Sequence, residues 1–376
     1  MKISGFTFVK NAGKLFIPAK EAISSILPMV DEFIVVLGNC DLDDDTEKQI
    51  LSLNSNKIKI IPCIWDTDKF PKNTIFAQQT DIAKEACSGE WLFYLQCDEA
   101  LHENFIPKVK KALIKYHNDK RVEGLVFNYK HFWGDFEHYN SSHTFYSKEI
   151  RIIRNLKQIH SWKDAQSFRF HEEVFNYQFE DYQKKEGTRK LNVALIDADI
   201  YHYGWVRPPE MMNKKRKTAS GTYHGKDAAQ KKFEKEEVGF DYGPLQLVKK
   251  FNGSHPSSFK KWVNEIYWKD ELQYSGRRRK KAQTSKHEKL KYRILTWIEG
   301  HILGGKRLGE FQNFKKIAKL FSRFSFNNFG FNHHLNKILF FSLVIFSFSI
   351  CFLLSSKSII QFSKPFLIYV NGFALF

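Results

Sequence analysis

Gly89 to Glu103 reads GEWLFYLQCDEALHE. Trp91 to Leu95 is an apolar and aromatic run, too short for a helix and the right length for a strand covered on both faces. The run ends in acid. Asp98 and Glu99 follow at once, with His102 and Glu103 just beyond, so carboxylates gather where the chain leaves the sheet. In an open α/β sheet this is where ligands bind, and a carboxylate held there can coordinate a divalent cation that neutralises phosphate charge.

The stretches before it repeat the pattern. Ile3–Val9 (ISGFTFV), Asp31–Leu37 (DEFIVVL) and Lys57–Ile64 (KIKIIPCI) are predicted strands. Helices are expected over Ile17–Leu27, Thr46–Leu53 and Thr74–Cys87. Apolar strands alternating with helices predict an α/β nucleotide-binding domain, with a mainly parallel central sheet flanked by helices. No G-x-G-x-x-G follows the first strand and no G-x-x-x-x-G-K-[ST] occurs, which disfavours a dinucleotide-dependent dehydrogenase and a P-loop enzyme. Beyond a basic amphipathic helix ending near His117, strands are expected at Gly124–Tyr129, Glu149–Ile153 and Ala194–Ile200. The last runs into Tyr201-His202-Tyr203-Gly204-Trp205-Val206-Arg207.

Net charge is +18, and residues 211 to 330 hold 28 Lys or Arg against 11 Asp or Glu, so nearly all of the surplus lies in that third. It includes Lys214–Lys217 and Arg277–Lys281, reads as mostly helical from Pro208 to Gln312, and suits an anionic partner such as a lipid headgroup or a phosphorylated substrate. The five cysteines are scattered and form no CxxC, as expected of a reducing compartment rather than a disulfide scaffold or zinc site. Met1–Lys10 contains no apolar run of a secretory signal. Ile338–Ser355 is 18 residues without a charge, long enough to span a bilayer, with basic residues before it that place the preceding chain on the cytoplasmic face.

Taken together, the amino-terminal strand and turn, the acidic loop after the second strand, GEWLFYLQCDE and the late strand-end His resemble family 2 glycosyltransferases of the GT-A fold. More narrowly, TIFAQQTDIA, WLFYLQCDEALHE, HYGWVRPPE and FNGSHP look like a bacterial subgroup with a Q-x-D-E form of the DxD signature. The resemblance covers about Lys2 to Pro256. It implies a GT-A domain over 1–256, with a nucleotide-sugar half at 1–105 and an acceptor half at 106–256. A basic helical extension (257–330) and a membrane-anchoring tail (338–376) would follow.

The resemblance also implies roles. Asp98, with His202, would hold Mn²⁺ or Mg²⁺ on the donor diphosphate, although Gln96 stands where the first acidic residue is usual and weakens the metal requirement. Asn11, Asn39, Asp41, Gln79, Asp81, Gln96 and Arg207 would contact the nucleotide sugar. Asp164 in SWKDAQ is the candidate base that deprotonates the acceptor hydroxyl in an inverting transfer, with Glu172 and Glu173 as alternatives. The expected function is hexosyl transfer from a nucleoside-diphosphate sugar to a glycan or lipid-linked acceptor, in cell-surface polysaccharide or glycolipid synthesis at the membrane. A nucleotidyltransferase is the enzymatic alternative. A basic membrane- or nucleic-acid-binding protein is the other; a nucleic-acid partner is disfavoured because the aromatics near Phe127–Tyr146 lie apart from the basic runs.

Overall fold

The strands form where β-branched and aromatic runs can be covered from both sides. In the computed structural model every residue of β2 (Glu32–Gly38, EFIVVLG) and of β4 (Trp91–Tyr94, WLFY) is buried. The structure describes residues 1–233, 239–277 and 285–317. The chain divides into two compact units, Met1–Ala318 and Lys319–Phe376, and all that follows concerns the first. The expected spanning segment 338–355, the rest of the tail and Arg278–Lys281 lie outside the described residues.

β1 (Ile3–Val9) leads through α1 (Ala19–Ile26) to β2, through α2 (Thr46–Leu51) to β3 (Ile58–Cys63), and through α3 (Thr74–Glu85) to β4. These four strands pair in parallel in the order β3-β2-β1-β4. After β5 (Glu99–Leu101) and α4 (Ile106–Tyr116), β6 (Gly124–Trp133), β7 (His138–Asn140) and β8 (Lys148–Arg154) follow. β8 inserts antiparallel between β4 and β6. The sheet is therefore mixed: a parallel half is joined through one reversed strand to β6, which runs parallel to the long β11 (Thr188–Trp205). The short strands β9 (Ile159–Trp162) and β10 (Ser167–His171), with α5 (Phe179–Gln183), complete the far edge.

One apolar cluster lies on each face of the sheet, with Ile23, Phe33 and Leu113 on one side and Phe6, Ile34 and Phe168 on the other. A third cluster absorbs much of the chain's phenylalanine and tryptophan: Phe132, Trp133 and Tyr203 of β6 and β11 pack against Phe240, Phe259 and Trp268. Indole N–H groups fasten it, Trp268 to the Gly134 carbonyl at 2.9 Å and Trp133 to that of Tyr242 at 3.0 Å. His255 of the FNGSHP motif donates from Nε2 to the Phe136 carbonyl and accepts from the Tyr203 hydroxyl at Nδ1. The segment expected to be mostly helical is only partly so. It holds α6 (Pro209–His224), α7 (Lys226–Phe233), α8 (Lys260–Asn264) and α9 (Leu290–His301), joined by aromatic loops and the short strand β12 (Lys249–Lys250), before β13 (Phe314–Lys316) pairs with β11. Its aromatic residues override helical composition because burying rings against β6 and β11 gains more than propensity alone. Among the described residues no helix is long and apolar enough to cross a membrane.

Candidate active site

The chain steps outward from β1 to β2 and β3, then α3 returns it to β4 on the other side of β1, so strand order reverses between β1 and β4. The carboxyl ends of these two strands, at Val9–Asn11 and Gln96–Asp98, open on a cleft of about 1650 Å³. This is the switch point at which open α/β sheets bind ligands. Thr7 and Cys97 touch across it at 3.4 Å. The Cys97 thiol is buried and pushed up to about 12 by loss of solvent, which leaves it a packing group.

Asp98 sits in a surplus of positive charge. The Lys215 ammonium of α6 bonds its Oδ2 at 2.9 Å, Arg207 Nη2 lies 3.9 Å from the same oxygen, and His202 Nε2 lies 3.8 Å from Oδ1. Burial alone would raise this carboxyl; the charges of Lys215 and Arg207 outweigh it and hold the acid far below its usual range. Burial and the Arg207 charge pull Lys215 the other way, down to about 8. Arg207 is completely buried, and none of its three guanidinium nitrogens has a hydrogen-bond partner. It stands behind Asp98 rather than among the lining residues.

Hydrogen bonds fix the protonation of His202. The Tyr146 carbonyl, which can only accept, lies 2.8 Å from His131 Nε2, so that nitrogen carries the proton. His131 is buried, and desolvation keeps it neutral. Its Nδ1 is therefore an acceptor, and His202 donates to it from Nδ1 at 2.9 Å. Burial lowers His202 too, and in the neutral ring Nε2 is left with a lone pair that faces the Asp98 carboxylate. The backbone makes room for this pairing: β11 is irregular between His202 and Trp205, and a Cβ on Gly204 would run into His202 Nε2 and lie 2.9 Å from Asp98 Oδ2. Only glycine fits there.

The cleft's other wall is aromatic. Phe8 and Phe76 stack at 5.7 Å, and Trp65 meets both at 5.8 and 5.6 Å. Asn39 Oδ1 accepts from Trp65 N at 3.1 Å and from Lys10 Nζ at 3.0 Å. Asn11, in the left-handed region at φ 52°, accepts from Asp41 N through its side chain, and Asp41 pairs with Lys14 at 2.8 Å. Asn11 and Asn39 line the cleft, as do Gln96, Asp98, Asp164 and His202. Asp164 is exposed at the rim between Lys163 (φ 58°) and Ala165 (φ 62°), a strained backbone of the kind stored at functional sites. The surrounding walls raise its carboxyl above the usual range, against its own N–H and that of Gln166. Gln96 Nε2 reaches the Ala165 carbonyl at 3.4 Å, tying the central motif to this loop.

Other expected residues lie elsewhere. Gln79 and Asp81 are on the buried face of α3; Asp81 is taken up by His160 Nδ1 at 2.8 Å and Ser161 N at 2.9 Å, and Gln79 by Cys63 and Gln78. The two sit outside the cleft lining because α3 turns that face toward the sheet and β9. Glu172 and Glu173 stand beyond β10, paired with Arg189 and Lys184 at 3.7 and 3.4 Å. Glu99 is fully buried and takes both oxygens to Arg151. Sequence reading missed Lys215 and His131. Lys215 is one of four consecutive basic residues, and only the helix phase selects it.

No family model and no curated protein matches the sequence. Solved structures to which the fold is similar include S. aureus TarS, at 14% identity over 58% of this chain and 39% of that one, with a TM-score of 0.32. They also include glucosyl-3-phosphoglycerate synthase from Mycobacterium tuberculosis in complex with Mn²⁺, uridine diphosphate and phosphoglyceric acid, at 18% identity over 34% of this chain and 43% of that one, with a TM-score of 0.25. The chain spans less than half the length of either protein in these two structures.

Proposed function

We propose that this chain is a glycosyltransferase that moves a sugar from a nucleoside-diphosphate donor to an acceptor hydroxyl. The observation that carries this reading is the cationic surplus around Asp98 at the switch point, with the buried guanidinium of Arg207, which makes no hydrogen bond, behind it. A diphosphate supplies the negative charge such a group of cations lacks. The aromatic wall of Phe8, Trp65 and Phe76 suits the base, which has a π-face to stack, with Asn39 beside it as a polar contact.

A divalent cation fits the facing acceptors, the Nε2 lone pair of His202 and Asp98 Oδ1 at 3.8 Å. Two protein ligands leave the remaining positions to phosphate oxygens and water, as is usual for Mg²⁺ sites that bind with substrate; among the described residues no group of three or more His, Cys, Asp or Glu side chains gathers. When bound, the cation would supply Lewis-acid stabilisation of the departing diphosphate.

The chain's own residues do the rest. Lys215 and Arg207 present fixed positive charge where the leaving group's charge develops, a preorganised field that needs no rearrangement during reaction. Asp164, whose raised affinity for protons suits a general base, would take the acceptor proton as that oxygen attacks the anomeric carbon. A new C–O bond forms, the bond to the diphosphate breaks on the opposite face, and the product is inverted. Release from that base or from the field around Asp98 should be separable.

Calorimetric titration of the full chain with a panel of nucleoside diphosphates and nucleotide sugars, with and without Mn²⁺, tests this. One nucleotide should bind, and Asp98→Ala should abolish the metal-dependent part. Asp164→Asn should leave binding intact and slow transfer by about 10²-fold or more. Absence of nucleotide binding in wild type under every condition would overturn the reading.

A further inference from the structure

α9 is amphipathic the wrong way round. Its inner face is polar: Thr296 Oγ1 accepts from His143 N at 3.0 Å, and Glu299, 2% exposed, bonds His143 Nδ1 at 2.6 Å and Leu308 N at 2.8 Å. Its outer face is apolar. Leu290, Ile294 and Trp297 follow one another at helical spacing with 66%, 48% and 56% of their surface exposed, and His301 stacks on the Trp297 ring at 5.3 Å. A helix docked on a globular body ordinarily buries its apolar stripe. Here hydrogen bonds hold the helix, and the stripe is left facing out.

The charges around the stripe say what covers it. Lys286, Lys289, Lys291, Arg293 and Lys306 are exposed, whereas Glu288, Glu299 and Glu310, the acids of residues 285–317, are buried or half-buried. A second copy docking through the same face in a two-fold dimer would bring one basic rim against another. The chain's own 319–376 contains no Asp or Glu and cannot complement these cations. An anionic lipid surface offers both partners at once: acyl chains for Leu290, Ile294 and Trp297, and headgroup charge for the rim. Trp and Lys at such a boundary are the residues that settle at an interface.

We propose that α9 is an interfacial helix that seats this protein on an anionic bilayer surface, independently of segment 338–355 and of the reaction at Asp98.

The test is co-sedimentation of the full chain with phosphatidylcholine vesicles, with and without phosphatidylglycerol. Wild type should bind the anionic vesicles and release with added salt. Replacing Leu290, Ile294 and Trp297 together by Ser should lower partitioning by about tenfold or more, with the thermal midpoint unchanged because these side chains already face water. Lys291→Glu with Arg293→Glu should remove the preference for anionic lipid. Equal binding by the triple variant would overturn the proposal, as would equal wild-type binding to both vesicle types. So would a lipid-free wild type whose oligomer dissociates on the triple substitution. Slow thiol labelling of an Ile294→Cys variant in lipid-free full chain would overturn it too, since the face would then already be covered.

Discussion

Two buried guanidinium groups stand on either side of one motif. Arg151 is completely buried, and its nitrogens reach both oxygens of Glu99 at 2.7 and 2.8 Å and the carbonyls of Ile150 and Gln166. Glu99 also accepts from the Tyr129 hydroxyl at 2.8 Å. The Arg207 guanidinium is equally buried but makes no hydrogen bond; Asp98 Oδ2 lies 3.9 Å from its Nη2. Asp98 and Glu99 are neighbours in sequence, yet one belongs to a closed ionic network and the other to an open one. A satisfied buried pair is structure, because its bonds are complete without a ligand. A buried cation that makes no hydrogen bond and shares its one nearby carboxylate with Lys215 has its desolvation only partly compensated, and an anion bound in front of Asp98 recovers part of that cost through its field.

Removing one member of each network should therefore have opposite consequences. Glu99→Ala leaves Arg151 charged and unpaired in the core, and should destabilise the protein by about 3–5 kcal/mol in denaturant unfolding. A midpoint unchanged from wild type would erase the distinction. Arg207→Met should weaken nucleoside-diphosphate binding by about tenfold, through loss of its charge behind Asp98 rather than of a direct contact, while stability holds or rises. A fall in stability like that of Glu99→Ala would make Arg207 a structural residue as well.

His131 sharpens the comparison further. It touches neither oxygen of Asp98, and acts by fixing which nitrogen of His202 carries the proton. His131→Phe should lower Mn²⁺ affinity by roughly tenfold, as loss of an outer-shell partner does, with little change in metal-free nucleotide binding. Nitrogen-15 shifts of His202 should move toward the other tautomer in that variant; an unchanged pattern would remove the positioning role. Gly204→Ala, which forces a Cβ against His202 and Asp98, should impair the same metal-dependent step without touching the Glu99–Arg151 network.

Much of the fold was legible in the chain. β1 and β2, and the run beginning at Trp91, match their expected spans to within one or two residues, because long β-branched and aromatic runs leave no alternative to a strand buried on both faces. β8 was recognisable as a strand, but its reversal was not: direction depends on what lies beside it. Residues 240–272 misled by composition, since their rings are consumed by packing on β6 and β11. The boundary expected at 256 falls inside this packed stretch.

The sequence by itself determined the alternation, the acid at the end of β4 and the charge asymmetry of the last third, because each is a property of local residue order. Which acid faces the cleft was decided only by tertiary structure: Asp81 and Glu99 are taken up by His160 and Arg151, 79 and 52 positions away in the chain, and Glu172 and Glu173 pair with Arg189 and Lys184 beyond β10. The selection of Lys215 from four basic neighbours, the tautomer of His202 and the outward turn of α9's apolar stripe were decided there too. Each depends on the direction a side chain takes once elements pack, and direction is set by neighbours distant in sequence rather than by spacing along it.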